Sequence, residues 1–336
     1  MNQNALDKKK ITDFLLNYAL YIVLALMIIV FVIIEPSFLS LNNFVKIITQ
    51  ASTRGIMALG VAGLIVLQGT DLSAGRVLGI CAIISSSLFQ SVTYASRMYP
   101  NLPALSPFVP LLVAVVIGAI FGAINGFGVA KLHLHAFIVT LGTQLIAYGL
   151  GCIYIDRPPL GAQPIANFDP RYTELVNGDL FGVPYLILYL ALVAMVMWFI
   201  WNKTTLGKNM FAIGGNPEAA AVSGVNIAKN IMIIFIISGA LYGVAGFLEG
   251  GRIGSTNSNT GINYELDAIS ACVVGGVSFS GGVGTIPGVL IGTMLLQCIN
   301  YGLIFIGVNS YWQYIIRGLI IIFAVSIDVR KYLTKK

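Results

Sequence analysis

Residues 185–248 read YLILYLALVAMVMWFIW (185–201), then NKTTLGKNMFAIGGNPEAAAVSGVN (202–226), and, four residues later, IMIIFIISGALYGVAGFL (231–248). Each flanking run reaches the roughly 17 apolar residues that a helix needs to cross the hydrocarbon of a bilayer. The stretch between them is polar and broken by Gly and Pro. Two crossings joined by a loop outside the membrane satisfy this pattern.

The rest of the chain agrees. Of its 336 residues, 57% are hydrophobic and 10% charged, with a mean hydropathy of +0.88. Soluble domains carry about a quarter charged residues, so this chain cannot build a water-soluble surface. Ten apolar segments are expected, at 17–34, 55–69, 77–91, 108–130, 135–155, 183–201, 230–248, 266–280, 284–305 and 311–327. The fold class is therefore all-α: one transmembrane domain over residues 1–336, a polytopic helix bundle of about ten segments. The segments at 55–69, 77–91 and 266–280 are short and rich in Gly and Ser. They are expected to be interior, broken or re-entrant, because irregular backbone survives at membrane depth only against protein or a water-filled cavity. Continuous apolar runs without alternation exclude a β-barrel.

Basic residues set the orientation. An even number of crossings puts both termini on one side, and both are basic: Lys8, Lys9 and Lys10, then Arg330, Lys331, Lys335 and Lys336. That side also receives Arg76, Lys131, Lys203, Lys208 and Lys229, twelve in all, against six opposite: Lys46, Arg54, Arg97, Arg157, Arg171 and Arg252. The richer side is expected to be cytoplasmic. The 202–229 loop is then cytoplasmic and the 156–182 loop external. The net charge of +6 is a topology signal, and nucleic acid is not an expected partner. The run from Tyr18 to Ile34 is followed by EPSFLS rather than a small-residue cleavage site, so it reads as a retained span. The loop at 156–182, bent by Pro158, Pro159, Pro164 and Pro170, is expected to have no hydrophobic core and to be either a plain surface loop or a docking surface.

Catalytic chemistry is missing from the pattern. His133 and His135 are the only histidines, and Cys81, Cys152, Cys272 and Cys298 lie in apolar segments without metal spacing; neither group makes a metal site. LGKN at 206–209 lacks the upstream Gly and following Ser or Thr of a phosphate-binding loop, so the chain is not expected to bind ATP. No cofactor, metal or catalytic residue is expected. Asp71, Glu249, Glu265 and Asp267 sit near segment ends, and no cluster of polar residues converging at one depth is expected. The Gly-interrupted stretches 67–79 and 271–292 are either pathway discontinuities or close-packing sites. Asp71 and Arg76 tip the first towards a cytoplasmic turn or gate. Gln68, Asn125, Gln144 and Asn300 are candidate pathway residues, each equally able to bond between helices.

Within the opening stretch, Asn216 suits an N-cap, Pro217 the first turn, Glu218 the positive helix end and Gly224 a left-handed terminator. A short helix over 217–223 follows. Ala219, Ala220 and Ala221 make it slim enough to enter a groove, and so short a helix is stable only when packed. It reads as a docking element.

EAAAVSG (218–224) resembles the Glu-Ala-Ala-x-x-x-Gly core of the cytoplasmic loop in permease subunits of bacterial ATP-binding-cassette importers. QGTDLSAGR, GKNMFAIGGNPEAAAVSGVN, YELDAISACVVGGVSFSGGVGT and GVNSYWQYIIRGLIIIFAV extend the likeness over most of the chain, to the ribose/galactose branch and most closely its galactose/methyl-galactoside permeases. A departure is IFII at 234–237, where the family pattern often ends in Ile-x-Leu-Pro. The resemblance implies a multi-pass subunit of the bacterial inner membrane, paired with a second copy, moving galactose-type sugars. Its partners would be a cytoplasmic ATPase subunit and a periplasmic sugar-binding protein. Glu218, Ala219, Ala220 and Gly224 would then form the coupling helix that receives movement from the ATPase. The competing reading is a stand-alone secondary carrier or channel for a small polar solute, which leaves the capped loop helix without a role.

Overall fold

The computed structural model describes residue 22, residues 24–157 and residues 161–333. Lys8, Lys9, Lys10, Lys335 and Lys336, the first residues of the 17–34 segment, and Pro158 and Pro159 lie outside the described residues. Thirteen helices are described: α1 (Leu24–Ile34), α2 (Leu41–Val66), α3 (Ala74–Leu88), α4 (Phe108–Ala130), α5 (Ala136–Ile155), α6 (Pro170–Asn177), α7 (Tyr185–Lys203), α8 (Thr205–Gly215), α9 (Pro217–Val222), α10 (Ile227–Ile253), α11 (Tyr264–Val274), α12 (Ile286–Phe305) and α13 (Ser310–Leu333). The described sheet is one hairpin of two-residue strands, β1 (Asp179–Leu180) and β2 (Val183–Pro184). Among the described residues, α4, α5, α7, α10 and α12 are long and apolar enough to cross a membrane. The chain is an all-α membrane bundle, and each of the ten expected segments falls on a helix.

The three short segments are interior or broken, as expected, each in its own way. The 55–69 segment is the second half of α2, an unbroken helix of 26 residues whose N-cap Ser40 accepts from the Asn43 N–H. Its first half, LNNFVKIITQASTR, carries enough Asn, Lys, Gln and Arg to hide it from an apolar-run reading. The 77–91 segment is α3, buried on nearly every side. The 266–280 segment is interrupted: α11 ends at Val274, and a glycine-rich loop leads into α12. Its glycines pack closely. A Cβ on Gly288 would collide with the Gly275 carbonyl, and one on Gly292 with the Ala271 carbonyl, while Gly282 N–H donates to Val66 O at 2.9 Å at the end of α2.

Small residues also bring the central helices together. On α4, Gly118 and Gly122 lie directly on α10 at Gly239 and Phe235, so that a Cβ on either would meet backbone. Without a hydrophobic driving force between helices in lipid, such close backbone approach and interhelical hydrogen bonds hold the bundle. The opposite face of α4 exposes Leu112, Val116, Ile120 and Ile124, and α7 exposes Leu192, Met195 and Phe199, as a lipid-facing surface requires.

The 156–182 region is more than a loop. α6 inserts Tyr172 and Val176, both fully buried, against Phe89, Phe168 and Phe247, and the Tyr172 hydroxyl donates to Phe247 O. Ile83, Ile155 and Ile165 form a second small cluster beside it. Arg171 donates to Asp169 from Nε at 3.0 Å and Nη2 at 2.8 Å, holding that carboxyl below the usual range. The expectation of a region without a core is overturned: residues 161–182 form a cap, with Phe181 at its hairpin tip almost wholly exposed.

Candidate functional site

Two places stand out, a polar cluster inside the bundle and the short helix α9 in the loop between α7 and α10. The first is a charge cluster beneath the cap. α2 presents Thr53 and Arg54, the end of α10 presents Glu249 and Arg252, α11 begins with Tyr264 and carries Asp267, and α12 carries Gln297. Glu249 is completely buried and fully used. Its Oε2 accepts from Thr53 Oγ1 at 2.7 Å and Arg252 Nε at 2.8 Å, its Oε1 from Arg252 Nη2 and the Tyr264 hydroxyl, each at 2.7 Å. Arg54 lies 4.8 Å above the Tyr264 ring, has its Nε 3.9 Å from Asp267 Oδ2, and donates from Nη1 to Gln297 Oε1. Gln297 Nε2 in turn donates to Gln50 Oε1 at 2.9 Å. Gln297 stands near the middle of the 20-residue α12, which gives the depth. Charges so placed persist only when they are paired and turned away from lipid.

The sequence reading placed no such cluster, and that expectation is wrong. Asp71, Glu249, Glu265 and Asp267 are near helix ends yet all buried: Asp71 lies in the turn before α3, Glu249 in the last turns of α10, and Glu265 and Asp267 in the first turn of α11. Arg76 belongs with them. Its Nη1 donates to Ser258 O at 3.0 Å and its guanidinium stacks 4.3 Å from the Tyr148 ring; Ser258 lies in the loop after α10, whose Thr256 bridges to Ile165 of the cap. Arg76 is therefore an interior side chain rather than a cytoplasmic turn, and Arg54 and Arg252 are interior rather than external. Lys131, Lys203, Lys208 and Lys229 are exposed.

Asp71, only 1% exposed, accepts on Oδ1 from Ser73 N and Oγ at 2.8 and 2.6 Å. Ser73 Oγ accepts from Asn125 Nδ2 at 2.9 Å, and Asn125 Oδ1 accepts from Thr143 Oγ1 at 2.7 Å. This relay ties the 67–73 turn to α4 and α5. Of the four candidate pathway residues, Asn125 thus serves as an interhelical tie. Gln68, at φ +63°, donates to Gly214 O at 2.8 Å and Ser280 O at 3.0 Å, stapling the end of α2 to α8 and the loop before α12. Gln144 is half-buried on α5. Asn300 lines a small cavity with Asp267, Ser270, Leu296 and Ile316, next to the charge cluster. The structure does not bring the four together. The signal that could have found the real cluster was the spacing Asn42, Lys46, Gln50, Arg54, four polar residues at helical intervals, together with Glu249 and Arg252 three apart.

The second place is α9. Asn216 Oδ1 accepts from Ala219 N–H at 2.9 Å and Gly224 takes the left-handed conformation, φ +84°. Glu218, Ala219, Ala221 and Val222 face outward, Val222 at 91% exposure. Ala220 is buried, turned towards α8 and the start of α10 against which α9 lies. Ala220 is therefore a packing residue, and the outward face belongs to Glu218, Ala221 and Val222. Val222 escaped the sequence reading because a lone Val among alanines gives no periodic signal. α8, a capped helix where a loop was expected, supports α9 from behind.

Residues 43–325 match the family described as the branched-chain amino acid transport system / permease component. The chain belongs to this permease family. Over 337 residues, covering 99% of this chain and 100% of each relative, the permease is 49% identical to the galactose/methyl galactoside import permease proteins of Haemophilus influenzae and Escherichia coli. It is 34% identical to the ribose import permease protein of Haemophilus influenzae over 328 residues, 98% of each chain. No solved structure matches. The permease is a multi-pass membrane transport subunit, and its relatives are permease components rather than enzymes.

Proposed function

We propose that the permease is the membrane-spanning subunit of an ATP-driven importer for galactose and methyl-galactoside-type sugars. A periplasmic binding protein delivers the sugar, a second copy completes the pathway, and a cytoplasmic ATPase subunit docks on the 202–229 loop and drives the change of access through α9. The bundle sits in the bacterial inner membrane with both termini cytoplasmic. The observation that carries this reading is the 49% identity, from end to end, to import permeases for these sugars. The geometry supports it: α9 exposes Glu218, Ala221 and Val222 on the side bearing Lys203, Lys208 and Lys229, and apolar exposure of that kind on a capped, stable loop suits a partner's groove.

Vesicles containing the permease, its ATPase subunit and the binding protein are expected to accumulate labelled galactose only with ATP on the ATPase side. Uptake of leucine or valine with no hexose transport would overturn the substrate. Galactose uptake by the permease alone would establish the stand-alone carrier instead.

A further inference from the structure

We infer that the face of α2 formed by Asn42, Lys46, Gln50 and Arg54, with Arg252 and Tyr264 beside it, is the wall of a water-filled entrance running from beneath the cap to the middle of the membrane. This rests on the importer reading above and adds the residues of the path.

The four side chains recur every fourth position and so lie along one side of α2. Asn42 and Lys46 are exposed, Gln50 is partly exposed, and the side chains of Arg54 and Arg252 keep 18% and 20% accessibility. Exposure thus continues down the stripe to the level of Gln297, mid-way along α12. A guanidinium with open surface at that depth cannot face hydrocarbon without a cost of several kcal/mol, and a stripe of four polar residues compounds it. Water must reach this face.

The charges of the wall are braced from behind. Two guanidiniums meet two buried carboxylates, Arg54 with Asp267 and Arg252 with Glu249, while Lys46 stays exposed nearer the cap. Gln50 and Gln297 add amides that both donate and accept. Each Glu249 oxygen and the Gln297 amide are buried and already have protein partners, so what the open side of the wall presents is the Gln50 amide and the guanidiniums of Arg54 and Arg252. The Tyr264 ring, with Arg54 on it, adds an apolar plate.

Thiol scanning tests the assignment. Gln50→Cys and Lys46→Cys are placed in a chain freed of its four native cysteines, with Ile120→Cys, on the exposed apolar face of α4, as the lipid-facing control. In the assembled transporter, an impermeant charged methanethiosulfonate is expected to modify positions 46 and 50 and not 120, and modification at 50 is expected to lower ATP-driven galactose uptake at least tenfold. Should Gln50→Cys fail to assemble, Lys46→Cys, one turn towards the cap, carries the same test. If the cysteine-free chain imports galactose but the stripe is unreactive, or its modification leaves uptake unchanged, this inference is wrong and the importer reading stands. If that chain imports no galactose while the natural chain imports none either, the importer reading is what fails.

Discussion

Glu249 shows how one side chain can hold a membrane site together. Fully buried, it accepts four hydrogen bonds from three residues on three helices, and it neutralises Arg252 directly. Replacing it with Ala leaves that guanidinium inside the bundle without its counter-charge, a loss of about 3–5 kcal/mol when one partner of a buried pair is removed. Glu249→Ala is expected to lower the thermal midpoint of the detergent-solubilised permease sharply, whereas Thr53→Val, which removes one neutral donor, is expected to cost only about 1 kcal/mol. Equal midpoints for Glu249→Ala and the unaltered chain would show that the cluster is not a structural tie. The sequence displayed all of these residues without revealing their association: a carboxylate three residues before an arginine looks like a helix-end pair, and only the fold-back of residues 254–263 brings Tyr264 to it.

At the level of elements, legibility followed the solvent. α4, α5, α7 and α12 face lipid and read directly as apolar runs, with Phe108–Ala130 matching its expected bounds to the residue. α2 and α11 are solvated largely by protein, so their polar residues hid their extent. α9 was legible for a different reason, since caps act locally: Asn216, Pro217 and Gly224 mark both ends of a short helix in the sequence itself. Its facing was not legible, because three consecutive alanines give no preferred side. That facing decides the mutational test of coupling. Val222→Asp puts a charge on the outward face, and Gly224→Val forces a β-branched residue into the left-handed region at about 1 kcal/mol or more. Both variants are expected to fold and insert, with Val222→Asp losing ATPase-subunit association in copurification. Ala220→Trp should instead unseat α9 from α8 and α10. Normal ATPase association and transport by Val222→Asp would remove the coupling role from this face.

Across the whole molecule, the interior arginines sharpen the case for orientation. Arg54, Arg76 and Arg252 are paired or bonded within the bundle, so they say little about which side faces the cytoplasm, and the basic residues that do report on it are those exposed at loop ends. In the described residues these are Lys131, Lys203, Lys208 and Lys229 on the α9 side. The cap side exposes Lys46, Arg157 and Arg171, the last set against Asp169, with Glu174 and Asp179 close by in the chain. An excess of exposed Lys on one side is the pattern that retains loops in the cytoplasm, and it supports the proposal that the α9 side faces inward and the cap outward. Single cysteines at Lys208 and at Phe181, the exposed tip of the cap hairpin, lie on opposite sides in this arrangement. In intact spheroplasts an impermeant maleimide is expected to label Phe181→Cys at once and Lys208→Cys only after permeabilisation. The reverse order would invert the bundle, and with it the assignment of α9 to an ATPase and of the polar stripe to sugar arriving from outside, because both depend on which water each end of the molecule meets.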